Sequence, residues 1–234
     1  MKNIIITGAS RGIGQATVLA FAKLGVSKLL LVARSKDGLN KIQQQIKQDY
    51  PIMDVMIFPF DLLTGNYALL KDFIDAHFEE IDILVNNAGT LSVKPFLQMN
   101  DEDFDSQFTV NVKSAFKLSQ FCIPKMNRGG HIVNISSMGG IQGSIKFPGL
   151  SLYSASKGAI SILTESLAAE LVEQEISVNA LAFGAVDTDM LRSAFPDYKA
   201  SLSAEEMGAF LADFAWNQAR YFNGKVLPVS SSTP

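Results

Sequence analysis

Cysteine is nearly absent: Cys122 is the one thiol in 234 residues. A single thiol excludes an intrachain disulfide and a metal cage built from cysteines. Histidine is almost as scarce. His77 and His131 lie far apart without ligand spacing, so they read as structural and no metal is expected. Charged residues make up 18% of the chain and the net charge is −3. There is no basic footprint for nucleic acid and no polybasic segment for a membrane surface. No apolar run reaches transmembrane length. The apolar stretch after Lys2 stops at Gly8, too short for the core of a signal peptide. A cytoplasmic, reducing compartment is the expectation, with neither nucleic acid nor membrane as partner. Repeats, low-complexity segments and Pro/Gly/Ser linkers are also missing, which predicts one domain over residues 1–234.

Hydrophobic residues, at 47%, suffice for a large core. Short apolar runs alternate with amphipathic helical stretches. Strands are predicted at residues 2–7, 28–33, 54–59, 81–85, 130–135, 177–182 and 225–229, with a frayed tail at 230–234. The fold class is therefore α/β: a Rossmann-type, doubly wound parallel sheet of about seven strands with helices on both faces.

Chemistry concentrates where predicted strands end. The first runs into Thr7-Gly8-Ala9-Ser10-Arg11-Gly12-Ile13-Gly14 and then a helix. Glycines let backbone N–H groups approach a pyrophosphate, and the helix N-terminus adds favourable partial charge. The spacing is G-x-x-x-G-x-G, wider than the dinucleotide fingerprint. A tight βα turn without a ligand is the lesser alternative, given the flanking strand and helix. The second strand ends at Arg34, where NAD-preferring sheets carry an acid. Arg34 and Arg11 together suit a 2′-phosphate, hence NADP(H); each alone also reads as a surface arginine. Asp61 ends the third strand, as a ligand-facing carboxylate or as the N-cap of a helix starting near Gly65. Asn86-Asn87-Ala88-Gly89 ends the fourth, as a compact turn or a ribose contact. Asn111 lies inside a helical stretch over 101–126, which its amide is expected to distort. Ser136 and Ser137 end the fifth strand. Tyr153 and Lys157 stand one helical turn apart on one face. A nearby ammonium favours phenolate, so a lowered tyrosine pKa is expected, fit for proton transfer.

These motifs, in this order, resemble the short-chain dehydrogenase/reductase family over nearly the whole chain. The glycine segment resembles its cofactor loop, Asn86 to Gly89 its structural turn, and Asn111, Ser137, Tyr153 and Lys157 its catalytic set. The resemblance implies an NADP(H)-dependent oxidoreductase reducing a carbonyl to an alcohol. Tyr153 would be the acid, Lys157 would lower its pKa and bind ribose hydroxyls, Ser137 would hydrogen-bond the substrate oxygen, and Asn111 would hold a relay water. Cofactor contacts are implied at Gly8, Ser10, Arg11, Gly12, Ile13, Gly14, Arg34, Asp61, Leu62, Asn87, Ala88, Gly89, Val110, Tyr153, Lys157, Val186 and Thr188. Asp61 would touch adenine, and Thr188 the carboxamide or a phosphate.

The chain departs from the family pattern in a longer Ser137–Tyr153 interval, a Phe183-Gly184 pair in place of Pro-Gly, a serine-rich tail and a short lid at 190–203. The partner expected is a small carbonyl or alcohol. A 3-oxoacyl thioester reductase is a specific alternative. It would need a basic entrance, with Lys94, Arg128 and Lys146 as candidates. A non-catalytic NADP(H) sensor or scaffold is another. The resemblance also implies a homodimer or homotetramer through the Asn111 and Tyr153 helices. Phe116, Phe121, Ile160, Leu163 and Leu167 fit such an interface or an ordinary core face.

Overall fold

The computed structural model describes residues 2–231. It contains strands β1 (Asn3–Thr7), β2 (Lys28–Ala33), β3 (Asp54–Pro59), β4 (Ile81–Asn86), β5 (Met126–Ser137), β6 (Ser177–Phe183), β7 (Val186–Asp187), β8 (Leu202–Ser203) and β9 (Val226–Val229). Seven of these pair, all in parallel, in the order β3-β2-β1-β4-β5-β6-β9. The helices are α1 (Gly12–Lys23), α2 (Lys36–Asp49), α3 (Tyr67–His77), α4 (Asp101–Phe108), α5 (Ser114–Cys122), α6 (Ser151–Glu170), α7 (Asp189–Ala194) and α8 (Ala204–Asn217). The doubly wound expectation holds. The strands β7 and β8 form a separate small sheet that the sequence reading lacked.

Side chains on a strand alternate faces, so a continuous apolar run feeds two layers. Ile4 and Ile6 join one layer with Leu29 and Leu31, under α1, α2 and α8. Ile5 joins the other with Leu30 and Val32, over α3 and α5. Each such fully buried side chain contributes about 1.5–3 kcal/mol. The helix α8 lies close on α1 because Gly208 has no side chain; a Cβ there would sit 2.4 Å from that of Ala16.

The strand order reverses between β1 and β4, which opens a crevice beyond their C-terminal ends. The glycine segment and the Asn86–Gly89 turn both lie there. The helix expected over 101–126 is broken. Thr109–Lys113 forms a π-turn between α4 and α5, and a 3-10 turn covers Ile123–Lys125. Asn111 lies within the π-turn, consistent with the distortion its amide foretold. The expected tail splits. Ser231 exchanges a hydroxyl contact with Ser201 at 3.1 Å, whereas residues 232–234 lie outside the described residues.

Candidate active site

The glycine loop is a cradle with no room for side chains. A Cβ on Gly14 would fall 2.2 Å from the Gly8 carbonyl oxygen, and one on Gly8 would meet Asn87 Nδ2 at 2.8 Å. Gly8 and Gly12 both take positive φ, 68° and 55°, where glycine alone is unstrained. Arg11 is the N-cap of α1, yet its side chain caps nothing. The first-turn N–H groups are thus left for an anion. Ile13 anchors the loop to the core. Thr188 stands opposite Gly12, its methyl 3.6 Å from where a Cβ would be, and its hydroxyl caps α7 through Leu191 N at 3.2 Å. Val186 is buried beneath it in β7.

The fourth strand is laced to this loop. Asn87 Nδ2 donates to the carbonyls of Thr7 (3.0 Å) and Gly8 (3.4 Å), and Ala88 N donates to Thr7 Oγ1 (3.0 Å). Asn86 turns the other way. Its amide donates to Asn134 Oδ1 at 2.8 Å, and Asn134 in turn donates to Thr164 Oγ1 at 2.9 Å. So the two asparagines divide the work: one shapes the cradle and the other ties β4 to β5 and α6.

One side of the crevice carries Ser10, Arg11 and Arg34. The N-terminus of α2 abuts the loop, with Gly38 placed so that a Cβ would lie 3.0 Å from Ser10 Cβ. Arg34 is exposed and makes no ion pair among the described residues. Arg11 has a loose partner, Asp189 at 3.9 Å, with both side chains well exposed. An unpaired Arg34 and an exposed, only loosely paired Arg11 beside the glycine loop fit a 2′-phosphate. Asp61, just beyond β3, is not the cap of α3. That helix starts later, with Asn66 accepting from Ala68 N, while Asp61 Oδ1 accepts from Leu63 N at 2.8 Å. Leu62 is buried beside it.

Lys157, on α6, is 4% exposed. Its ammonium donates to the Ile135 carbonyl at 2.7 Å and sits 5.8 Å from the Tyr153 ring centre. Burial pulls its pKa down to about 8. Tyr153 is partly buried, and that burial pushes its pKa up; a hydrogen bond with the Ser137 hydroxyl lowers it in part. The expected lowering of the tyrosine pKa is therefore reversed. Desolvation of the phenolate outweighs the favourable partners, and the phenol is protonated at neutral pH. Ser137 and Ser136 point oppositely along β5. Ser137 reaches Tyr153, whereas Ser136 is buried and its hydroxyl lies against the Lys157 carbonyl (2.8 Å) and Ser161 (2.9 Å).

Asn111 is buried, with both ends of its amide engaged. Its Oδ1 accepts from Thr90 N at 2.8 Å, and its Nδ2 donates to Thr90 O (3.0 Å) and Ser156 Oγ (2.9 Å). Both Nδ2 hydrogens are used, which leaves the second lone pair of Oδ1 as the one side-chain position open to a relay water. A Cβ on Gly89 would lie 3.4 Å from both Asn111 Oδ1 and Lys157 Nζ, which places that glycine between them. Val110 belongs to the same turn, its carbonyl accepting from Ser114 Oγ at 2.7 Å. Sequence reasoning missed Thr90 and Ser156. A mid-helix asparagine needs partners, and Ser156, one residue before Lys157, was the nearest hydroxyl in the motif.

The remaining scarce residues are structural. His131 bonds Ala215 O at 3.1 Å and Asn179 Nδ2 at 3.0 Å, and burial drops its pKa to about 4. Burial holds the Cys122 thiol well above its ordinary value. Of the expected interface residues, Ile160 is buried and Phe121 and Leu167 pack on the core, whereas Phe116 is 41% exposed. Among the described residues no helix is long and apolar enough to cross a membrane, and no cluster of His, Cys, Asp or Glu is arranged to hold a metal ion.

Known proteins share this arrangement. The sequence model of the family described as short chain dehydrogenase matches residues 2–199. The 3-oxoacyl-(acyl-carrier-protein) reductase FabG of Thermotoga maritima is 31% identical, over 97% of this chain and 96% of that protein. A short chain dehydrogenase from Burkholderia cenocepacia, solved in complex with NADP, is 26% identical with a TM-score of 0.88, covering 99% of this chain and 97% of the other. The L-sorbose reductase of Gluconobacter frateurii, solved with NADPH and L-sorbose, is 26% identical with a TM-score of 0.87, covering 99% of this chain and 96% of the other. With a glycine cradle at the switch point and a serine, a tyrosine and a buried lysine beside it, the chain belongs to the short chain dehydrogenase family and is an oxidoreductase.

Proposed function

We propose that this chain, as one dinucleotide-binding and catalytic unit, reduces the carbonyl of a small molecule to an alcohol with NADPH. The observation that carries the reading is the Ser137–Tyr153 hydroxyl pair at the crevice with the Lys157 ammonium buried behind it. The residues named above would hold the cofactor: Gly8 to Gly14 the pyrophosphate, Arg11 and Arg34 the 2′-phosphate, Asp61 and Leu62 the adenine, and Asn87 to Gly89, Val110, Lys157, Val186 and Thr188 the nicotinamide side. When bound, the nicotinamide supplies the hydride. The chain supplies the rest. Ser137 donates a hydrogen bond to the carbonyl oxygen, where negative charge develops. Tyr153, protonated because burial raises its pKa, gives that oxygen its proton. The Lys157 ammonium stabilises the phenolate left behind. Asn111, fixed by Thr90 and Ser156, keeps the π-turn open beside Lys157 for the returning proton.

The curated relatives' names favour a second reading, a 3-oxoacyl thioester reductase. The basic entrance it needs finds little support. Lys94 pairs with Asp103, and Arg128 pairs with Glu175 at the opposite end of the strand that carries Ser137. Lys146 folds back on its own loop. Self-association through α4, α5 and α6 completes the proposal. Phe104, Phe116 and Ile162 are exposed there by 47%, 41% and 62%.

The test is NADPH oxidation, followed by absorbance, across diketones, aldehydes, ketosugars and 3-oxoacyl thioesters. Tyr153→Phe runs beside the wild type. Turnover that Tyr153→Phe abolishes, with NADPH binding kept, supports the reading. Tight NADPH binding without turnover of any carbonyl would move the weight to a non-catalytic sensor.

A further inference from the structure

Beside the catalytic hydroxyls lies an open cleft of about 650 Å3, bounded by the loop over 141–150 and by Pro95 and Phe96. It approaches the catalytic hydroxyls at one end, through Ser154. Ser154 lines the cleft and follows Tyr153 directly, and a Cβ on Gly139 would lie 3.1 Å from Ser154 Oγ and 3.7 Å from Ser137 Oγ. A substituent on a carbonyl held by Ser137 and Tyr153 therefore has this cleft to enter.

The walls are apolar. Phe96 and Phe147 expose 68% and 50% of their surface, and Pro148 and Leu150 lie between. Phe147 meets Phe195, just beyond α7, edge-on at 6.1 Å, so the loop and the short lid touch through aromatic rings. The one cation in the lining is spent. Lys146 Nζ donates to Ile141 O (2.7 Å), Ser144 O (3.1 Å) and Ser144 Oγ (2.6 Å), which uses all three of its donors. Ser151 Oγ points to Met99 Sδ at 3.4 Å. No carboxylate lines the cleft. The wall is also pre-formed. Lys94 N donates to Gly149 O at 3.1 Å, and Gly149, at φ 84°, leaves no room for a Cβ against Val93. A concave, pre-formed apolar wall ending in a few aimed polar groups is the build of a small-molecule site.

Resting on the carbonyl-reductase reading, we infer that the substrate is an uncharged ketone bearing a bulky apolar substituent, aryl or branched alkyl, seated against Phe96 and Phe147. The extra loop length between Ser137 and Tyr153 is what supplies this wall. The ammonium of Lys146 is turned onto its own loop, so an anionic substituent finds no donor aimed at it there.

A matched pair of diones tests this: 1-phenylpropane-1,2-dione against butane-2,3-dione, with a linear 3-oxoacyl thioester as the third substrate. The phenyl dione is expected to show a kcat/KM at least about tenfold above the other two, as hydrophobic pockets discriminate by that order. Phe147→Ala should cost the phenyl dione at least about tenfold more than it costs butanedione, through KM; Phe96→Ala serves as the second variant. Equal use of the two diones, equal losses in both variants, or preference for the thioester would overturn the inference. So would a change of oligomeric mass in Phe147→Ala, which would mean that a second copy covers the rings. If no carbonyl is turned over, the carbonyl-reductase reading fails by itself. The dissociation constants of the two diones on the NADP+-loaded Tyr153→Phe protein, read by saturation-transfer NMR, then decide: a tenfold preference for the phenyl dione upholds the apolar site, and equal constants remove it.

Discussion

Lys157 carries a charge that the fold opposes, and replacing it with methionine exposes the cost. Its ammonium is 4% exposed and titrates at about 8 instead of 10.5. The unfolded chain thus holds more protons than the folded one between those two values, so stability rises with pH across that window. Below about pH 8 both states are charged and the penalty is full. At about 1.4 kcal/mol per pH unit, the buried ammonium costs the fold about 3 kcal/mol at pH 7 and about 2 kcal/mol at pH 9. Lys157→Met removes the penalty but also the hydrogen bond to Ile135 O, which returns about 1–2 kcal/mol. The cofactor-free variant is therefore expected to be inactive yet more stable than wild type at pH 7, by about 1–2 kcal/mol. The margin should shrink by about 1 kcal/mol at pH 9. Urea unfolding of both proteins at the two pH values measures this, because every other titrating group is common to both and cancels in the difference. A margin independent of pH would refute the reasoning, and so would a variant several kcal/mol less stable than wild type.

Four further outcomes follow from the same geometry. Arg34→Asp should weaken NADPH binding by roughly ten- to a hundredfold, the scale of a lost charge-assisted hydrogen bond, and NADH binding far less; equal losses by fluorescence titration would end the 2′-phosphate assignment. Asn134→Ala strands the Asn86 amide in the core, while the Thr164 hydroxyl keeps its bond to Ile160 O, and should cost about 1–3 kcal/mol in chemical unfolding; a change near zero would mean that water replaces the lost partner. Tyr153→Phe should abolish NADPH oxidation with cofactor affinity retained, in paired kinetic and binding assays. Phe147→Ala should separate aryl from methyl ketones by their KM values.

Local rules account for most of the frame. The runs Ile4–Ile6 and Leu29–Val32 are apolar at every position, which fits strands buried on both faces, and each feeds two core layers. The loop from Gly8 to Gly14 declared a cradle because Gly8 and Gly12 take positive φ, which glycine alone adopts without strain. Tyr153 and Lys157 share a face because helical periodicity places them so. Asn111 announced a local distortion of its helix, which the structure shows as a π-turn.

Other features depend on what the folded chain brings near. Asn86 and Asn87 read as one turn, but β1 lies on one side and Asn134 on the other, and their amides part accordingly. Asp61 read as a ligand-facing carboxylate or a helix cap, and the closer competitor Asn66 took the cap. Lys94, Arg128 and Lys146 were candidates for a basic entrance until folding paired Lys94 with Asp103 and Arg128 with Glu175 and turned Lys146 back on its own loop. The tyrosine pKa reversed direction for the same reason. The sequence by itself determined the parallel sheet, the phosphate cradle and the tyrosine–lysine register, all of which follow from periodicity and local sterics. Tertiary structure alone decided the protonation of Tyr153 and Lys157, the pairing of the cations and the apolar wall at the site, because desolvation and pairing depend on groups that the chain order does not place side by side.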